Sequence, residues 1–266
     1  MSRVGPTAEF ASLVYGPSGV DADDPAEAFH ESSRLYPRVA PGRLGTLLDL
    51  ADSPELQQTV ARSSRLHPHR PGIELERGAL PEAHLRDVLS ARRSRGPLER
   101  RPLSVRELGA VLETAYTVTA GRRPVPSGGA LYPLELYVLA LTLEHAECST
   151  FHYDPFGHRL ARLGPLDADL LAAALVEPAL AERAAAVLVV TAMFWRSRFK
   201  YGLRGYRFAL LEAGHVVQNV ALAAAALGLS ALPVGGFYDR RLDALVGADG
   251  LDEASLYAVV LGGAGA

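Results

Sequence analysis

Residues 185–194, Ala-Ala-Val-Leu-Val-Val-Thr-Ala-Met-Phe, run almost directly into Lys200-Tyr201-Gly202 and then Arg204-Gly205-Tyr206-Arg207-Phe208. The apolar run is short, uncharged and rich in Val, which reads as a buried strand. The stretch from Tyr206 to Leu227 is rich in Ala, Leu and Val and is stopped by Gly228, which reads as one long helix. A Lys beside a Tyr at the mouth of the core offers two groups able to move protons. Both titrate near about 10 in solution, and burial or a neighbouring charge can bring a Lys towards working pH. Proton abstraction needs such a group. A solvated Lys-Tyr pair is the commoner occurrence, so the weight of this one comes from its surroundings.

The chain has 266 residues, 48% hydrophobic and 21% charged, with a formal net charge of −3. That is enough for one large domain with a full core, or one domain with an appendage. The charge gives no reason to expect nucleic acid or an anionic membrane as partner. Cys148 is the only cysteine, so no intrachain disulfide and no cysteine-built zinc site is expected, and a cytoplasmic setting fits. Met1 to Pro6 lacks the apolar core of a signal peptide. The one candidate membrane span, Ala209 to Leu229, carries Glu212, His215, Gln218 and Asn219. These are costly in lipid, so a buried helix is the better reading.

Residues 1–79 read as an N-terminal extension or small lobe, with short helices near Pro25–Leu35 and Pro54–Ser64. Residues 80–266 carry the stronger signals. Pro81 to Arg92 reads as a helix with proline in its first turn. Ser104-Val105-Arg106-Glu107 is a capping box that opens a helix to about Tyr116. Leu134 to Leu143 reads as a strand. Asp154-Pro155-Phe156-Gly157 reads as the turn of a hairpin. Asp167 caps a helix. Ser230 to Val234 is a short strand, Asp239 caps a helix to about Val246, and Ser255 to Leu261 is a last strand. Helices and strands do not alternate with the rhythm of a βαβ repeat, so the fold class is α+β.

Four further groupings could carry chemistry. Arg92-Arg93-Ser94-Arg95 ends a helix and offers guanidinium forks and a hydroxyl, suited either to phosphate or to the helix dipole. Pro126-Ser127-Gly128-Gly129-Ala130-Leu131-Tyr132-Pro133 exposes bare backbone for a flat or anionic ligand, without the ending of a nucleoside-triphosphate loop. Leu232-Pro233-Val234-Gly235-Gly236-Phe237 does the same between a strand and a helix. Glu212, His215 and Asn219 share a helical face by spacing. With no His-Glu-x-x-His pattern they read as a hydrogen-bonded polar seam, and no metal is expected.

In this order, together with Tyr153-Asp154-Pro155, Lys-Tyr-Gly and Glu-Ala-Gly-His, these pieces resemble the FMN-dependent nitroreductase superfamily. More narrowly they resemble its SagB-type dehydrogenases, which include the azoline dehydrogenases of thiazole/oxazole-modified peptide pathways. The likeness covers about Leu80 to Gly263, and Phe29-His30-Glu31 also looks like that subfamily. It implies an FMN-binding fold with a mixed central sheet flanked by helices, an N-terminal extension, and a homodimer that builds two FMN sites from both subunits. By this resemblance Arg92, Arg93, Ser94 and Arg95 hold the flavin phosphate and ribityl chain. Pro126, Ser127 and Gly128 line the isoalloxazine, Gly235 and Gly236 bring backbone donors to the ring, and Lys200 and Tyr201 are the catalytic pair.

The implied reaction turns thiazolines or oxazolines of a precursor peptide into azoles, with a cyclodehydratase as the expected partner. The rival expectations are an NAD(P)H-fed nitro- or quinone-reductase and a flavin-free scaffold subunit. Many members of the superfamily carry a basic residue near the C-terminus. Leu261 to Ala266 holds none, which shifts the expected phosphate contacts to Arg92–Arg95 with Arg204 or Arg207.

Overall fold

The computed structural model describes residues 24–35, 53–94 and 98–264. The chain divides into two units, Met1–Thr46 and Leu47–Ala266. In the first, α1 (Pro25–Ser32) starts with proline, and the Asp24 carboxylate accepts from the amide of Ala26 at 2.8 Å. This is the expected cap of a proline-led helix.

The second unit contains α2 (Pro54–Ala61), β1 (Gly72–Glu74), α3 (Leu85–Ala91), β2 (Leu98–Glu99) and α4 (Val105–Tyr116). A single 3-10 turn, Gly128–Ala130, precedes β3 (Leu134–Ala140), β4 (Ser149–Asp154) and β5 (Arg159–Pro165). Then come α5 (Ala168–Ala174), α6 (Ala179–Arg183), β6 (Ala186–Met193), α7 (Trp195–Tyr201), α8 (Leu203–Ala226), β7 (Leu229–Val234), α9 (Asp239–Val246) and β8 (Glu253–Ala264). The α+β class is the one read from the sequence.

The strands form one sheet in the order β1-β5-β4-β3-β6-β8-β2, with β7 also paired to β8. Every pairing among the named strands is antiparallel, where the resemblance implied a mixed sheet. The centre is dry because successive side chains feed two different cores. Leu134, Leu136 and Val138 of β3 and Leu188 and Val190 of β6 pack with α4 and α8. Tyr137 and Leu139 of β3 and Val187 and Val189 of β6 pack on the other face with α5, α6 and α9. Burying both faces is what makes β6 read as an unbroken apolar run.

Local chemistry explains most boundaries. Ser104 Oγ accepts from the Glu107 amide at 3.1 Å, while Glu107 Oε2 accepts from the Ser104 amide at 2.9 Å. Asp154 Oδ1 accepts from the amides of Phe156 and Gly157, closing the β4–β5 turn. Three expectations change. The helix expected from Pro81 begins at Leu85, after an extended His84 that makes no side-chain cap. Asp239 is the first helical residue and not the cap, a position held by Tyr238. Between β6 and the long helix lies α7, which the sequence reading missed.

α8 is long and apolar enough to cross a membrane by length and composition, yet half of its most apolar window is buried inside the protein. Ala209, Ala213, Val216, Val217, Val220 and Ala224 form that buried face.

Candidate active site

Lys200 and Tyr201 end α7, which leaves β6 with only Phe194 between them. Gly202 then takes φ +54 and ψ −133, closing α7 and opening α8. Such backbone is essentially reserved for glycine, so the helices break at this residue. Lys200 is half-buried, with Nζ 5.6 Å from the Tyr201 ring centroid. The Tyr201 ring meets Phe208 of α8 edge to face at 4.9 Å.

The Ser127–Gly129 loop lies against these two aromatic rings. A Cβ on Gly128 would fall 2.8 Å from Phe208, and one on Gly129 would fall 2.6 Å from the Tyr201 hydroxyl oxygen. Gly129 also has φ +64, so both its space and its backbone call for glycine. The fold therefore brings the Pro126-Ser127-Gly128 stretch and the Lys200-Tyr201 pair together, although they lie over 70 residues apart in the sequence.

A buried ionic network holds α7. Arg196, only 2% exposed, places Nη1 2.7 Å from Glu135 Oε1 on β3. Glu135 Oε2 meets His152 Nε2 at 3.0 Å, and Glu135 Oε1 accepts from the Arg65 amide at 2.9 Å. Burial alone would raise the Glu135 pKa. The hydrogen bond with His152 and the charge of Arg196 outweigh it and hold the group below the usual carboxylate range. One strand-end further, Glu253 accepts from Tyr137 and Thr191 and pairs with Arg65 at 3.0 Å. Burial beside Glu253 drives the Tyr137 hydroxyl well above its ordinary range. Arg196 lies one helical turn before Lys200, so this network fixes where the Lys-Tyr pair is presented.

A third buried carboxyl, Glu212 of α8, accepts from Tyr116 Oη at 2.7 Å. Burial lifts it to about 7, against the opposing pull of Ser127, Tyr116 and Arg123. The expected polar seam divides here. Glu212 is buried, Asn219 donates to the Thr114 carbonyl at 3.1 Å, and His215 points outward, exposed. No group of metal-ligating side chains occurs among the described residues.

The phosphate-type residues gather elsewhere. Arg93 and Ser94 line a cavity of about 260 Å³ beside α8 and β7. Ser94 also lines a second, of about 650 Å³, with Gly235, Gly236, Val176, Glu177 and Arg183. Arg92 donates to Ser94 Oγ at 3.0 Å. The Gly236 carbonyl accepts from the Val176 amide at 3.0 Å, which holds that loop open to solvent. Arg95 lies outside the described residues.

So one chain unites Arg92, Arg93, Ser94, Gly235 and Gly236, and separately unites Ser127, Gly128, Lys200 and Tyr201. Neither cavity is lined by a member of the second group. Sequence reasoning missed Arg183, Arg196 and Glu135. Arg183 ends a five-residue helix with no motif around it, and the other two pair only through the tertiary fold.

Comparison with known proteins gives consistent matches. The family described as Nitroreductase family matches residues 89–263. A protein of Methanocaldococcus jannaschii named as a nitroreductase is 39% identical over 175 residues, covering 64% of this chain and 87% of its own. The microcin B17-processing protein McbC of Escherichia coli is 32% identical over 151 residues, which are 53% of this chain and 55% of that one. A chain of the E. coli microcin synthetase McbBCD complex, solved with truncated pro-MccB17 bound, superposes with a TM-score of 0.58 at 25% identity, covering 90% of this chain and 87% of that one.

Proposed function

The chain belongs to the nitroreductase family, and from that premise we propose that it is an FMN-dependent dehydrogenase that oxidises azolines in a ribosomally made peptide to azoles. The observation that carries this reading is the meeting of Tyr201, and beside it Lys200, with the bare backbone of Gly129. A flat ring resting on the Pro126–Gly129 loop would have two proton-carrying side chains at its edge. The relative named for processing microcin B17 supports a peptide substrate. The synthetase complex supports work alongside partner subunits, for which a cyclodehydratase is the chemically required supplier of azolines.

The donor set fits a flavin mononucleotide. Arg93 and Ser94 on one cavity offer charge and a hydroxyl for a phosphate, Arg92 donates to Ser94, and Ser94 shares its second cavity with Arg183. Gly235 has no neighbour within 4 Å of a Cβ position, so its backbone is open to a ring. The two groups of residues lie apart in one chain, and we assign the complete site to a homodimer that joins one group from each subunit.

When bound, the flavin supplies the acceptor for the hydride leaving one ring carbon of the azoline. Lys200 or Tyr201 takes the proton from the adjacent ring carbon, and the other orients it. The Ser127–Gly129 loop sets the plane on which the reacting ring lies, and Arg196 with Glu135 fixes the base against it.

The test is the absorbance spectrum of the purified protein, with mass identification of the released chromophore, followed by turnover of an azoline peptide. Stoichiometric FMN, azole formation by the wild type, and retained FMN with lost azole formation in Lys200→Ala are the expected results. A protein that stays colourless with added FMN overturns the reading. Rapid anaerobic bleaching by NAD(P)H without azoline turnover would assign it to reductase chemistry instead.

A further inference from the structure

Beneath the Ser127–Gly129 loop lies a buried polar cluster that the proposed reaction does not use. Glu212, 2% exposed, receives the Tyr116 hydroxyl at 2.7 Å, and the Tyr116 oxygen in turn accepts from the Leu134 amide at 3.2 Å. The Ser127 hydroxyl stands against the same carboxyl. Ser127 Oγ already accepts from the Tyr132 amide at 3.0 Å, so its proton is available to Glu212. Glu212 Oε2 is buried and makes no hydrogen bond of ordinary geometry among the described residues.

The other charged or titratable groups facing this cluster are few. The Arg123 guanidinium, 7% exposed, stacks 4.0 Å from the Tyr116 ring and 4.7 Å from the Tyr132 ring. Its Nε and Nη1 are buried without hydrogen-bond partners, and Nη2 reaches Ser64 Oγ at 3.4 Å. Glu135 of β3 acts on Tyr116 from farther off.

We propose that Glu212 is a positioning residue for the flavin-facing loop, its carboxylate form drawing in the Ser127 proton and so locking Ser127 Oγ as acceptor for the Tyr132 amide. This deepens the flavin reading above and rests on it for the ligand. The chemistry has a definite direction. An ionised carboxyl only accepts, so Ser127 donates to it and keeps its lone pairs for Tyr132. A neutral carboxyl carries a proton of its own that competes for the Ser127 oxygen. The burial that lifts Glu212 to about 7 places this change near neutral pH.

The first readout needs no flavin. Amide hydrogen exchange at Tyr132 is followed in the full chain from about pH 6 to about pH 8, with rates normalised to intrinsic exchange. The wild type should gain protection of roughly fivefold across this window, and Glu212→Gln should show no change. Equal pH profiles in the two proteins overturn the proposal. If Glu212→Gln does not fold, Tyr116→Phe serves in its place. Losing one donor to the charged form must move the inflection to higher pH, and an unmoved inflection overturns the proposal.

The second readout is FMN affinity by fluorescence over the same window. It should rise with pH in the wild type by a factor that Glu212→Gln lacks. An equal rise in both proteins belongs to the FMN phosphate and counts against the loop's coupling to Glu212. Absence of FMN binding at any pH overturns the flavin reading, and the exchange experiment then decides the role of Glu212 by itself.

Discussion

Glu135 and Glu212 are both buried carboxyls, yet their surroundings give them opposite responses to pH. Glu135 is held below its ordinary range, so the stability it contributes is present above the unfolded-state value of 4.5 and is lost as pH falls through its folded-state value. Glu212 is raised to about 7, so its contribution is present below 4.5 and is lost as pH rises through about 7. Relative to wild type, Glu135→Gln should therefore lose its penalty in acid, while Glu212→Gln should gain in relative stability from about pH 5 to about pH 7. Chemical denaturation from about pH 5 to about pH 7 measures the Glu212 change, and its extension below about pH 4.5 measures that of Glu135. Arg196→Met leaves Glu135 buried with one fewer charge partner and should cost about 3–5 kcal/mol. The double variant Arg196→Met/Glu135→Gln should cost less than the two single changes added together. Additive costs would show that the pair is not coupled. Glu212 is legible in the sequence as part of a polar seam, but the Glu135 network is not, because Glu135, His152 and Arg196 are spaced by strand and helix lengths that only the folded sheet relates.

The elements divide by how local their causes are. α4 was legible to the residue, because its capping box is written within four positions. Ser104→Ala should cost about 1 kcal/mol by thermal denaturation and leave the site unchanged. α7 was invisible for the opposite reason. Its N-cap, Phe194, is already helical and makes no capping bond, and its stop at Gly202 is also the start of the next helix. The Lys-Tyr pair was found as a motif while the helix that carries it was not. The Gly128-Gly129 pair was read as open backbone for a ligand, and part of its reason proved to be the packing of Phe208 and Tyr201. Gly129→Ala would strain a left-handed backbone and push on the Tyr201 hydroxyl. Stability should fall by about 1–3 kcal/mol, while the proposed azoline turnover should fall by roughly tenfold to a hundredfold, since small displacements at a reacting edge are costly. Equal turnover would show that Tyr201 is not held in place by this loop.

At the scale of the whole molecule, α8 explains both a success and an omission. Its length and composition were plain from the sequence, and its buried face was expected. Around its start Leu203 and Leu210, at the edge of the buried face, stay 41% and 44% exposed, and Leu211, across from that face, 61%, which leaves apolar surface suited to a second copy. Leu211→Arg should turn the proposed dimer into monomers in sedimentation and release FMN with it, because the proposed site needs both subunits. A monomer that still binds FMN stoichiometrically would remove the shared site.

The position of β8 has a consequence for how the protein is made. It follows every other strand in sequence, yet it pairs with β6, β7 and β2. During synthesis the apolar edge of β6 therefore waits, unpaired, until residues 253–264 have left the ribosome, and β7 has no partner at all. Open apolar edges of this kind invite pairing with other chains. A polypeptide stopped at Asp252 should accumulate as aggregate rather than as a smaller folded protein. Co-expression of a strand-binding chaperone should raise the soluble yield of the full chain most when translation is slowed before that point, since it is the interval without β8 that exposes the sheet.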